Sequence, residues 1–86
     1  MIIRIADEIN SSLELNSYAT KFVDTINSFD ESDFIIDFEG VRFVSRTFAQ
    51  AYYASKKRSP KHIEEINLSG DVKPLMEMIE KQIIGD

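Results

Sequence analysis

Apolar positions along this chain switch between two spacings, and each switch marks an element. Ile2 to Ile5 is a short β-favouring run broken by Arg4, which predicts a first strand with one wet face or edge. Asp7 to Ser12 is polar and turn-forming. Ser11 with Glu14 three residues later fits a capping box, while Asn16 and Ser17 offer competing helix starts. Ala19, Phe22, Val23 and Ile26 then recur at helical spacing, with Leu15 extending the stripe backwards, and predict a first helix to about Ser28.

After the acidic link Asp30 to Asp33, the run Phe34 to Phe38 is aromatic and β-branched, the pattern of a central strand covered on both faces. Gly40 gives the backbone freedom where that strand ends. Ser45 and Thr47 are N-cap candidates for a second helix beginning near Phe48, whose inward face holds Phe48, Ala51, Tyr52 and Ser55. Tyr53 falls about a quarter-turn away, on a face expected to be exposed. The helix ends in Lys56-Lys57-Arg58 and is broken by Ser59-Pro60, because proline disfavours helical geometry in the residue before it. Ile63 to Leu68 predicts a third strand, Ser69-Gly70-Asp71 a turn and cap, and Val72, Leu75, Met76, Ile79 and Ile83 a last helix closed by Gly85. The order is βαβαβα. Its helices are long enough to return the chain, so the fold class is a small α/β domain with a mainly parallel sheet of three, or four, strands covered by helices.

Length allows one domain, residues 1–86, with a modest core. The absence of cysteine excludes disulfides and thiolate chemistry, and is compatible with a reducing compartment. No apolar run is long enough to span a membrane, and Met-Ile-Ile-Arg-Ile lacks a signal-peptide pattern, so the expected location is cytoplasmic. A net charge of -5 disfavours nucleic acid, whose binding needs clustered Lys and Arg.

Ile36-Asp37-Phe38-Glu39-Gly40-Val41, followed by Phe43-Val44-Ser45-Arg46-Thr47-Phe48-Ala49, resembles the STAS-like domains of unknown function. That family carries an aspartate-phenylalanine-glutamate-glycine-valine strand end, then a hydroxyl residue, a phenylalanine and an alanine opening a helix. More distantly the segment is similar to the STAS domains of anti-sigma-factor antagonists. The likeness implies a STAS-like fold and a non-enzymatic regulatory, signalling role, with an ATP-binding anti-sigma or kinase-like protein as partner. The antagonists carry a phosphorylated serine at this turn. Aligned without gaps, that position falls on Arg46, flanked by Ser45 and Thr47.

The expected docking surface is therefore the loop and helix at residues 39–53, with Glu39, Arg42, Arg46, Ala49, Gln50 and Tyr53 as partner-binding residues. Ser45 and Thr47 are candidate phosphoacceptors or helix caps. The alternative is a small-ligand or nucleotide sensor that uses the helix N-terminus near Thr47 as an anion site, although this loop lacks a glycine-rich phosphate cradle. No catalytic residue, metal site or cofactor is expected. Asp37 and Glu39 have no histidine, cysteine or lysine beside them in sequence, and Asp37 is read as bonding its own turn. His62 is the only histidine, so one chain cannot build a histidine pair. The cluster Lys56, Lys57, Arg58, Lys61 and His62 is read as helix-end electrostatics. The expected oligomeric state is a monomer or weak homodimer.

Overall fold

The computed structural model describes residues 1–85, so the last residue of the expected domain lies outside the described residues. The chain runs β1 (Ile2–Arg4), α1 (Ile5–Glu8), β2 (Ser12–Leu13), α2 (Asn16–Asn27), β3 (Asp33–Asp37), β4 (Phe43–Val44), α3 (Arg46–Arg58), β5 (His62–Ile66) and α4 (Lys73–Ile83). The main sheet is parallel with order β1-β3-β5, as the alternation of strands and helices requires. A second, two-residue parallel ladder joins β2 to β4.

The helices cover one face of the main sheet. α3 lies between α2 and α4. Beneath them Ile3, Ile36 and Glu65 form one row of the sheet, with Phe34 and Ile63 beside it. The opposite face presents Ile2, Ile35 and Glu64 in one row and Arg4, Asp37 and Ile66 in the next. Ile2 is 67% exposed there. This corrects the expectation of a strand covered on both faces. Each of the two crossovers carries one long helix, α4 packs beside them, and no described element returns across the other face.

The core is continuous from Ile5 and Leu13 through Phe22, Val23 and Ile26 of α2, Phe34, Ile36 and Phe38, and Phe48 and Tyr52 of α3, to Met76 and Ile79 of α4. Burying these apolar side chains is the main source of stability in a chain with no disulfide to constrain it. Aromatic geometry organises its centre. The Tyr52 ring stacks on Phe48 at 6.3 Å and meets Phe38 edge-on at 6.1 Å. Met76 is buried, as its place in the apolar stripe predicts, while Met78 is exposed. No described helix is long and apolar enough to cross a membrane.

Candidate functional site

The functional surface expected from sequence lies beyond the carboxyl ends of the parallel strands, and the local chain explains how it is held. β3 ends at Asp37, whose Oδ1 accepts hydrogen bonds from the Glu39 amide at 2.9 Å and from Asn67 Nδ2 at 3.0 Å. Together with Arg4, whose Nε lies 3.9 Å from Oδ2, these donors hold the Asp37 carboxyl below its ordinary pKa, the Asn67 bond contributing most. Gly40 follows at φ +88°, a left-handed conformation that favours glycine. Asp37 therefore fixes the turn, as its sequence position suggested.

The chain is then clamped by the segment before α2. Ser11 O accepts from the Arg42 amide at 2.8 Å, and Leu13 O accepts from the Ser45 amide at 2.9 Å, the ends of the β2–β4 ladder. Ser45 is the N-cap of α3, its Oγ accepting from the Phe48 amide at 3.0 Å. The same hydroxyl donates to the Glu14 carbonyl at 2.6 Å. Thr47 Oγ1 lies 3.2 Å from Ser45 Oγ and 3.4 Å from that carbonyl. Both hydroxyls thus converge on one backbone oxygen, and the space in front of them already holds a partial negative charge. That geometry serves a cap better than an anion site.

Glu39, Arg42, Arg46, Thr47 and Gln50 are exposed and Ser45 is half-buried. Two expected partner contacts are corrected. Ala49 is fully buried and Tyr53 is 2% exposed. Tyr53 meets Tyr52 edge-on at 5.1 Å, has Lys56 Nζ 5.6 Å from its ring centre, and sits where α4 packs against α3. Burial, reinforced by the nearby Glu65 and Glu80 carboxylates, raises its hydroxyl pKa far above the ordinary tyrosine value. The surface also contains a residue the sequence reading did not select: Phe43, 49% exposed in β4. Its β4 neighbour Val44 is buried, and two adjacent apolar residues in so short a strand gave no sequence signal of which one faces outward. Among the described residues, neither Arg42 nor Arg46 forms an ion pair.

The basic cluster at the end of α3 is dispersed into structural contacts. Lys56 Nζ lies 2.9 Å from Glu65 Oε2, which also accepts from the Tyr52 hydroxyl at 2.7 Å. Lys57 donates to the Ile83 carbonyl near the end of α4. Lys61 holds the carbonyls of Phe29 and Glu31. His62 is exposed beside Glu64. Sequence spacing gave no sign of the buried Glu65 network, which depends on β5 turning one glutamate inward.

Among the described residues no group of three or more His, Cys, Asp or Glu side chains is arranged to hold a metal ion. A groove of about 760 Å³ lies between β1 and α2 and is linked to the α3 cap through Glu14. No protein-family model matches the chain, and neither the curated proteins nor the solved structures give a match.

Proposed function

We propose that this chain is a non-enzymatic, STAS-like regulatory domain of the cytoplasm that docks a protein partner through the exposed part of residues 39–50. The observation that carries this reading is the clamped N-terminus of α3. The Ser45 cap and the Glu14 carbonyl fix the helix start, around which Arg42, Phe43, Arg46, Thr47 and Gln50 are exposed. Two free guanidinium groups beside an exposed aromatic ring suit an acidic protein surface with an apolar recess. The resemblance of residues 36–49 to the STAS-like family and, distantly, to anti-sigma-factor antagonists supports an ATP-binding anti-sigma or kinase-like regulator as that partner. If the surface is modified, Thr47 is the better acceptor, because the Ser45 hydroxyl both caps α3 and donates to Glu14.

Affinity capture from native extract, comparing the natural chain with an Arg42→Glu, Arg46→Glu variant, tests the reading. Reversing two surface charges should weaken recovery of the partner by about tenfold or more. Equal recovery of the same proteins by both chains overturns the surface. Isothermal titration with nucleotides and phosphorylated metabolites tests the function class, since micromolar binding would replace protein docking with ligand sensing.

A further inference from the structure

We infer that the free edge of β1 and the groove beside it form a strand-addition site for an extended apolar segment of a partner protein carrying basic residues at one end. This site is separate from the arginine-bearing surface above and does not rest on it.

Three observations converge on one place. First, β1 is an edge strand, paired only with β3 among the described residues. Met1 O accepts from the Ile35 amide at 2.8 Å, so in this parallel ladder Met1 and Ile3 turn their backbone groups toward β3 and Ile2 turns its amide and carbonyl outward. Second, the groove runs alongside that edge. Half-buried Ile3 and buried Phe22 and Ile26 line its depth, while Leu15, Tyr18 and Phe29 stand exposed along its rim. Third, Ile2 projects from the other face of the same strand and is the most exposed large apolar side chain described.

An extended segment laid against β1 meets all three conditions at once. Its backbone pairs with Ile2, one set of alternate side chains enters the groove, and the other set covers Ile2 on the open face. A helix would fill the groove and leave the edge unpaired. Charge then selects the partner. Glu8 and Glu14 flank the groove near the carboxyl end of β1, while its positive groups are Lys21 and, before the other end of β1, the Met1 ammonium. Acidic excess there favours Lys or Arg at the matching end of the segment, and a net charge of -5 opposes a second copy of this chain.

The probe is a phage-displayed library of random peptides about ten residues long, the length of a long strand. It is selected on the folded protein and counter-selected on a Leu15→Glu, Tyr18→Ala variant, both changes falling on exposed side chains. Selected peptides should alternate apolar and polar residues, carry Lys or Arg at one end, and protect the Ile2 amide from hydrogen exchange. Their affinity should fall by about tenfold or more on the double variant, as for loss of an aromatic anchor. Ile2→Pro, which removes the outward amide, should weaken binding while the melting temperature is kept. Glu8→Gln with Glu14→Gln should flatten the salt dependence. No enrichment over the counter-selected variant overturns the inference, as do peptides that bind as helices or leave the Ile2 amide unprotected. A dimer of the chain that dissolves on Tyr18→Ala overturns it too, by giving the groove to a second copy.

Discussion

The two edges of one small sheet are finished in opposite ways. Along β5, Glu65 turns inward, paired with Lys56 and accepting from the Tyr52 hydroxyl, and Tyr53 is buried where α4 packs on α3. Glu64 adds charge to the open face, a common device for discouraging edge pairing. Along β1, the inward residue is the apolar Ile3, and Tyr18 and Leu15 stay exposed on the neighbouring chain. The strands themselves are similar in pairing and direction. What differs here is the finish of the flank beside each edge: α4 packed on α3 and one paired carboxylate on the β5 side, exposed apolar side chains on the β1 side.

Substitutions can sharpen that contrast. The largest effect belongs to the sealed side: Tyr53→Ala should destabilise the fold by about 3–5 kcal/mol in urea unfolding, as for other large buried aromatics. A loss below 1 kcal/mol, about the size of an ordinary surface change, would place the ring outside the core. Tyr52→Phe comes next, at about 1.5–3 kcal/mol, because it removes a hydrogen bond to a charged acceptor. Alkaline titration reports the same side. Burial, with Glu65 adding to it, raises Tyr52 well above the ordinary 10.0, so the folded state keeps a proton that the unfolded chain releases. The resulting stability is complete below pH 10.0 and is lost as pH rises through the folded value. Tyr52→Phe should reduce that alkaline loss, and unchanged alkaline behaviour would count against the network.

Smaller effects lie at the cap and the open edge. Ser45→Ala should cost about 1 kcal/mol, the usual worth of an N-cap, with a smaller loss for Thr47→Ala, checked by thermal unfolding. Tyr18→Ala should change stability by no more than about 0.5 kcal/mol, as surface substitutions do. A large loss there would mean that the groove is a working part of the core, and the contrast between the two edges would collapse.

Local pattern carried most of the architecture. The stripe Ala19, Phe22, Val23 and Ile26 is the buried face of α2, and Ser45 caps α3 as its hydroxyl suggested. The parallel three-stranded sheet follows from crossover lengths that the spacing reveals. The misses arise where long-range packing decides. Tyr53 lies a quarter-turn from Tyr52 on α3 and reads as exposed until α4 is docked. Leu15 fits the α2 stripe by period, yet it is the N-cap residue just outside the helix and is 53% exposed. No side-chain capping bond forms at that helix start, so the Ser11–Glu14 box does not describe it. Ile5 to Glu8, taken as strand end and polar turn, closes into the single turn α1. The two-residue β2–β4 ladder is too short to leave any periodic trace. The candidate surface was thus legible as a strand-to-helix turn with its hydroxyls and arginines. Its boundary with the core was not, because that line is drawn by α4.

Glu14 links the two candidate surfaces: it lines the β1–α2 groove, and its carbonyl receives the hydroxyl that caps α3. Any occupant that shifts this residue on one side changes what the other side offers. Thermodynamic reciprocity then requires the arginine-bearing face to alter groove affinity by the same factor in return. One shared peptide unit would make this small protein a two-input device, in which each guest senses the other without touching it.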